Sequence, residues 1–119
     1  MNIDNRKHAR VKPQSLTANI TIFTPTDDTE IHLEGQVLDM SMAGIKIKLF
    51  SAMPENIAKS KIKIKIKINL LMPKSGLPVT IKGVIKRLDN DSECGIQYYK
   101  DHPDKEIDNL LFECIKSVQ

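Results

Sequence analysis

The sequence predicts a mainly β protein, a small six-stranded antiparallel barrel with a C-terminal α-helix. Most of the 119 residues fall into short segments in which apolar and polar residues alternate, which is the pattern of half-buried strands. Short polar turns separate these segments, and short turns join antiparallel neighbours. A flat sheet of six strands would leave two edges open, whereas closure into a barrel removes both edges.

The predicted strands follow this alternation along the chain. They are "LTANITIF" (16–23), "IHLEGQVLD" (31–39), "GIKIKLF" (44–50), "KIKIKIKINLLM" (61–72), "VTIKGVIKRL" (79–88) and "CGIQYY" (94–99). The fourth segment is the most regular, because isoleucine and lysine alternate along it. The stretch "SAMPENIAKS" between the third and fourth segments is predicted to be a loop.

The two ends of the chain differ from the strand region. After "KDHPDKE" the apolar residues recur at three and four positions from Ile107 to Val118, which predicts a helix. Residues 1–14 lack hydrophobic periodicity and contain Pro13, so we expect them to form a flexible N-terminal arm. Residues 15–119 then form the barrel and its helix, and the chain is a single domain.

Composition excludes several classes of function. The net charge of +3 and the 4% aromatic content do not call for a nucleic-acid partner. No apolar run approaches the roughly 20 residues of a membrane span, and the N-terminus has no secretory signal, so we expect a cytoplasmic protein without membrane insertion. Cys94 and Cys114 are too far apart for a redox pair and are predicted to be core thiols.

Residues with the spacing of a catalytic or metal site are also missing. The three histidines, His8, His32 and His102, are scattered, and none has metal-ligand spacing. No glycine-rich phosphate loop precedes a helix, and Ser41 does not lie in a nucleophile elbow. We therefore expect a protein that is not an enzyme and holds neither a metal nor a cofactor.

The first motif that points to a ligand is Arg6-x-x-x-Arg10. The chain contains 15 lysines and 3 arginines, and two of these arginines lie in the opening stretch "NRKHAR". Arginine offers a planar fork of donors that matches phosphate oxygens or the N7/O6 edge of guanine. On spacing alone, the same residues also suit a solvated basic tail.

The second motif is Asp39-x-Ser41-x-x-Gly44. By itself it reads as a turn in which Asp39 and Ser41 bond the local backbone and Gly44 permits a positive φ. Combined with the arginine pair it suits an anionic guanine nucleotide. Asp39 would accept from the Watson–Crick edge of guanine, Ser41 can donate or accept, and Gly44 would let the backbone approach a ligand closely.

"RKHAR" followed by "DMSMAG" resembles the paired RxxxR and [DN]xSxxG signature of PilZ domains, which are bacterial receptors for cyclic di-GMP. The resemblance extends over nearly the whole chain and includes "GVIKR", "GIQYY" and the final helix. It implies a ligand on the outside of the barrel, beside "DMSMAG", with the N-terminal arm closing over it. It also implies roles for five residues: phosphate and guanine Hoogsteen contacts from Arg6 and Arg10, guanine contacts from Asp39 and Ser41, and shaping of the turn by Gly44.

Three further residues are secondary candidates for the ligand site. Asn5 stands where the family often has a basic or bulky residue, and its identity favours one cyclic di-GMP molecule over a stacked pair. Lys7 is either a solvated surface lysine, which the sequence favours, or an auxiliary charge for phosphate. Arg87 either faces the ligand or covers strand surface, and the sequence favours neither alternative.

The resemblance implies a monomeric adaptor that changes the conformation of its arm and signals to an unidentified protein effector. Motility, surface attachment, polysaccharide production and virulence are outputs of such proteins. One alternative is a PilZ-like interaction module that no ligand regulates. A less favoured alternative is a small-barrel nucleic-acid binder that uses the lysine row, although alternation at period 2 also explains those lysines as the exterior of a core strand.

Overall fold

The computed structural model describes residues 11–13, 15–24, 29–60, 63–99 and 104–117. Six strands occupy the alternating segments: β1 (Thr17–Phe23), β2 (Glu30–Met40), β3 (Gly44–Leu49), β4 (Lys65–Leu71), β5 (Pro78–Leu88) and β6 (Glu93–Tyr98). All strand pairs are antiparallel, and the order β1-β2-β3-β6-β5-β4 forms a closed barrel because β4 also pairs with β1. The predicted barrel is confirmed.

The interior of the barrel is built by the apolar half of each alternating segment. In β4, Ile66 is 1% exposed and Ile68 is fully buried, while Lys65 on the same strand is exposed. Branched side chains of this kind pack well on a pleated surface. The regular lysine row is therefore the outer side of a core strand, as period 2 indicates.

The fourth strand begins later than predicted. It starts at Lys65 and not at position 61; residues 61–62 lie outside the described residues. Ile64 is still buried and its carbonyl accepts from the N–H of Ile85 at 2.9 Å. On the other side, β1 ends at Phe23, which pairs with Lys65. The pairing between β1 and β4 therefore stops at Lys65, where β1 ends.

The prediction of a loop throughout "SAMPENIAKS" is wrong for one turn of helix, α1 (Glu55–Ala58). The carbonyl of Pro54 accepts from the N–H groups of Ile57 at 3.0 Å and Ala58 at 2.9 Å. Ile57 is 3% exposed and joins the core, so burial of one side chain holds the turn. A single turn is too short to show helical periodicity in the sequence.

The predicted C-terminal helix is present as α2 (Asp104–Ser117). Its apolar stripe is buried against the barrel through Ile107, Leu110, Leu111 and Cys114. The Sγ atom of Cys114 lies 3.9 Å from Sδ of Met40, the last residue of β2. Cys94 and Cys114 are both free and buried, as expected of core thiols. Within the described residues, no helix has both the length and the apolar character needed to cross a membrane.

A polar clamp fixes the outer side of α2 to the turn between β4 and β5. The carboxylate of Glu113 accepts from the N–H groups of Lys74 at 3.1 Å and Ser75 at 2.8 Å, and from the Ser75 hydroxyl at 2.9 Å. The bond from the Ser75 N–H is the largest cause that lowers the pKa of Glu113 below its usual value, because these bonds favour the charged form.

Candidate functional site

The end of the N-terminal arm lies beside the turn that carries the second motif. The N–H of Val11 donates to the carbonyl of Met40 at 2.7 Å, and the N–H of Met40 donates back at 2.9 Å. Met40 stands between Asp39 and Ser41 in the sequence, and Val11 directly follows the arginine motif. The structure thus joins the arm to the turn by a two-way backbone pair. Four predicted site residues lie outside the described residues: Asn5, Arg6, Lys7 and Arg10.

Asp39 reaches the outer face of the barrel because of a β-bulge. Val37 pairs with Ile47 and Asp39 pairs with Lys46, so Leu38 is an extra residue in β2. In a regular strand without a bulge, alternation would place Asp39 on the same side as Val37, which is fully buried. The bulge reverses this order, so Met40 is buried and Asp39 lies beside Lys46. Asp39 is half-buried.

Ser41 organises the turn between β2 and β3. Its side chain and backbone are 1% exposed. The Oγ atom accepts from the N–H groups of Ala43 at 3.2 Å and Gly44 at 3.4 Å, and the Ser41 N–H donates to the carbonyl of Gly44 at 2.9 Å. The interpretation of Ser41 as a turn residue is therefore confirmed. Its contact with guanine stays a prediction.

Gly44 is required for a reason other than the positive φ expected from the sequence. Within the described residues the glycine with positive φ is Gly76. At Gly44, a Cβ atom would lie 2.5 Å from the backbone oxygen of Ile96 in the neighbouring strand β6, closer than any side chain tolerates. The missing side chain therefore allows β3 and β6 to approach, and it leaves the outer backbone at the start of β3 uncovered.

Tyr98 supports the same turn from inside the barrel. Its hydroxyl lies 2.9 Å from the carbonyl oxygen of Ser41 and 3.0 Å from that of Gly44. A phenol has one proton to donate, so the two acceptors share it. Tyr98 is 8% exposed. The turn is thus held by the Ser41 side chain on one side and by a buried tyrosine on the other.

Arg87 lies on the outer face in the same cross-strand row as Asp39. A second bulge makes Lys86 the extra residue in β5, so that Arg87 pairs with Gly95 and Gly95 pairs with Lys46. A Cβ atom at Gly95 would lie 3.1 Å from Cζ of Arg87. Arg87 therefore covers the strand backbone and also borders a groove of about 130 Å³ that includes Gly44 and Gly95. The alternative that Arg87 covers strand surface is thus seen in the structure, and a contact between Arg87 and the ligand stays a prediction.

Ion pairs connect Lys46 and Arg87, the two cations of this cross-strand row, through Asp89. Nζ of Lys46 lies 3.2 Å from Oδ2 of Asp89 and 3.7 Å from Oε1 of Glu93. Nε of Arg87 donates to Oδ1 of Asp89 at 3.0 Å. The hydrogen bond from Lys46 is the largest cause that lowers the pKa of Asp89 from 3.8, and Arg87 lowers it further. Asp89 is therefore an anion at neutral pH.

A larger groove elsewhere on the barrel is a poorer site for an anion. It has a volume of about 810 Å³ and lies against β1 and β4. Among the described residues that line it, Glu34 is the single charged one. A lone carboxylate repels phosphate, whereas the groove over β3 and β6 has Arg87 at its edge. Charge therefore favours the smaller groove.

A small closed barrel whose outer face presents polar side chains and uncovered glycine backbone beside an N-terminal arm defines a class of binding module. A model of the PilZ domain family matches residues 4–116 of the chain. The chain therefore belongs to the PilZ domain family, which is a c-di-GMP-binding family. The resemblance noted from the two motifs is confirmed.

Two solved structures share the fold. The PilZ domain of CeSA from a cellulose-synthesizing bacterium is 19% identical, with a TM-score of 0.66 over 87% of this chain and 95% of that chain. The PilZ domain of YcgR from Escherichia coli, solved with c-di-GMP, is 11% identical, with a TM-score of 0.67 over 92% of this chain and 91% of that chain. No curated protein sequence matches the chain significantly.

Sequence reasoning missed three residues that build this face: Lys46, Gly95 and Tyr98. Alternation in "GIKIKLF" places Lys46 outside the barrel but does not say what lies opposite. Gly95 and Tyr98 lie in a predicted strand, and their importance depends on the neighbours that strand pairing gives them. The strand register was the missing information.

Proposed function

We propose that this chain is a receptor for cyclic di-GMP that binds the ligand on the outer face of β2, β3 and β6. The observation that carries the proposal is the backbone pair between Val11 and Met40. It joins the stretch next to Arg10 to the segment that carries Asp39 and Ser41. Membership of the PilZ family and the fold shared with a c-di-GMP-bound domain support the choice of ligand.

Each motif residue has a role that its chemistry suits. Arg6 and Arg10 donate to the phosphates and to the Hoogsteen edge of guanine. Asp39 accepts from the N–H groups of the Watson–Crick edge, and Ser41 adds a contact from the turn. Gly44 leaves the backbone open to a flat base.

Binding energies allow the arm to act as a switch. A hydrogen bond to a charged group contributes roughly 1.5–3 kcal/mol, and ordering a residue costs about 1–2 kcal/mol of backbone entropy. Several arginine bonds to a doubly anionic ligand therefore offset the ordering of a short arm. Val11 is already paired with Met40 of β2, so ordering of that residue adds nothing to the entropic cost of binding.

The receptor acts through a second protein, because a closed arm presents a surface to a partner that an open arm does not. We expect a cytoplasmic monomer, one ligand molecule per site because Asn5 replaces a basic residue, and an effector in motility, attachment, polysaccharide production or virulence. Pull-down with and without cyclic di-GMP identifies this effector. Equal capture of the same protein in both conditions would instead support the interaction module that no ligand regulates.

Calorimetry with cyclic di-GMP tests the ligand. The wild-type chain is expected to show saturable binding, and Arg10→Ala is expected to weaken it at least about tenfold, since about 1.4 kcal/mol corresponds to tenfold in affinity. Arg10→Lys is the matched control. It keeps the charge but removes the planar fork, so it should lose most of the affinity if the arginine makes a bidentate contact.

Three results would contradict the proposal. Absence of heat and of NMR shifts at high ligand concentration would show that the chain is not this receptor. Equal binding of cyclic di-AMP would show that Asp39 does not select guanine. Salt-dependent binding of random oligonucleotides, with no response to cyclic di-GMP, would favour the nucleic-acid alternative.

A further inference from the structure

The ion-pair cluster beside the proposed site contains one carboxylate that bridges two cations from different strands. Asp89 places Oδ2 3.2 Å from Nζ of Lys46 in β3 and Oδ1 3.0 Å from Nε of Arg87 in β5. The side chains are 27% exposed for Lys46, 55% for Arg87 and 30% for Asp89. A dissolved anion can therefore reach both cations from solvent.

The cluster lies on the ligand face and not on a separate surface. Lys46 pairs directly with Asp39 on one side and with Gly95 on the other. Arg87 pairs with Gly95 from the opposite strand and covers its backbone. The two cations thus flank the glycine floor of the groove, in a row with Asp39.

The geometry points to a phosphate-binding subsite formed by Lys46 and Arg87, which Asp89 occupies when no ligand is bound. The inference rests on the proposed function as far as the cyclic dinucleotide is concerned. A carboxylate and a phosphodiester each offer two anionic oxygens to such a pair of cations. A phosphate of the ligand would displace Asp89 from Lys46 and Arg87, and Asp89, which remains charged, would turn to solvent.

The inference makes Asp89 a competitor and not a support for binding. A residue that merely holds Arg87 in place would weaken binding when it is removed. Removal of a competing anion should instead strengthen binding, because it frees Arg87 and leaves Lys46 with its longer contact to Glu93 at 3.7 Å. The two partly exposed ion pairs are modest in strength, so we expect Asp89→Asn to tighten cyclic di-GMP binding by about threefold to tenfold.

Calorimetry with cyclic di-GMP on the full chain shows whether removal of the Asp89 carboxylate tightens or weakens binding. Asp91→Asn is the matched control, because it makes the same charge change in the same β5–β6 turn, and its structural contact is made by its backbone carbonyl, which accepts from Met53 at 2.6 Å. We expect a change of less than about twofold for the control and a loss of about threefold to tenfold for Lys46→Gln. Asp89→Ser serves as a second variant if Asp89→Asn unfolds at the assay temperature.

An NMR titration with inorganic phosphate tests the subsite without the dinucleotide. In Asp89→Asn, the signals of Lys46 and Arg87 are expected to shift at lower phosphate concentration than in the wild-type chain or in Asp91→Asn. If cyclic di-GMP fails to bind but these shifts occur, the proposed function fails and the subsite stands. If cyclic di-GMP binds and Asp89→Asn binds it no tighter than Asp91→Asn, the subsite is wrong and the receptor stands. Failure of both measurements refutes both.

Discussion

Replacement of Tyr98 by phenylalanine removes the buried support of the β2–β3 turn while keeping the volume of the core. The Tyr98 hydroxyl is shared between the carbonyl oxygens of Ser41 at 2.9 Å and Gly44 at 3.0 Å. The Gly44 oxygen retains the N–H of Ser41 at 2.9 Å, so its loss is only partial. The turn that carries the second motif therefore loses one donor without losing apolar packing.

The expected cost is about 1–2 kcal/mol of unfolding free energy. A neutral hydrogen bond contributes roughly 0.5–1.5 kcal/mol, and a buried acceptor left without a donor raises the cost toward about 3 kcal/mol. Because the Gly44 oxygen keeps its bond from the Ser41 N–H, we expect the loss of unfolding free energy to stay below that upper value. In a domain of this size the change corresponds to a fall in Tm of roughly 3–6 °C per kcal/mol.

Urea unfolding of Tyr98→Phe and Tyr99→Phe measures this cost. Tyr99 is the neighbouring tyrosine, half-buried and one residue beyond the end of β6. Tyr99→Phe is expected to change the unfolding free energy by less than about 0.5 kcal/mol. Equal stability of the two variants would refute the role assigned to the Tyr98 hydroxyl. Amide exchange should accelerate in the β2–β3 turn of Tyr98→Phe alone.

Three further predictions concern close packing and ionisation. Gly44→Ala should destabilise the fold by about 1–3 kcal/mol in urea unfolding, because its Cβ meets backbone 2.5 Å away; a neutral effect would contradict the close approach of β3 and β6. Burial raises the pKa of Cys94 and Cys114 from 9.0 to about 11, so both thiols should resist a thiol reagent at pH 8 until the chain unfolds. Since the unfolded thiols ionise first, stability should fall as pH rises from 9 to about 11, and a Cys94→Ala variant should show a smaller fall. The lowered pKa of Glu113 means that its clamp stabilises α2 above the ordinary carboxyl pKa and is lost as pH falls through the lowered value; Glu113→Gln should remove this acid dependence, and an unchanged acid melting profile would contradict the clamp.

The barrel was predictable because its signal is local. Alternation in β4 separates Ile66 and Ile68 from the lysines without any information about neighbours, and the structure buries both isoleucines. The helical period of α2 is equally local, and it correctly predicted the burial of Ile107 and Cys114. The short helix at Ile57 was missed because one turn contains no period to detect.

The candidate site was predictable only in part. The residue types and spacing of Asp39, Ser41 and Gly44 indicated a turn and a guanine ligand, and the family match agrees with the motif. The positive φ expected at Gly44 was wrong, because glycine is required there by crowding from Ile96, in a strand that lies far along the chain. Tyr98 was missed for the same reason.

Periodicity alone was sufficient for the strands and the final helix, since each depends on residues close together in the chain. The family and the motif residues came from the resemblance of "RKHAR" and "DMSMAG" to the PilZ signature, and the family match agrees with it. The direction of the site side chains depended on tertiary structure. Strict alternation would turn Asp39 and Arg87 toward the core, and the bulges at Leu38 and Lys86 turn both outward. Pairing between strands, which local sequence does not encode, then placed Lys46 between them.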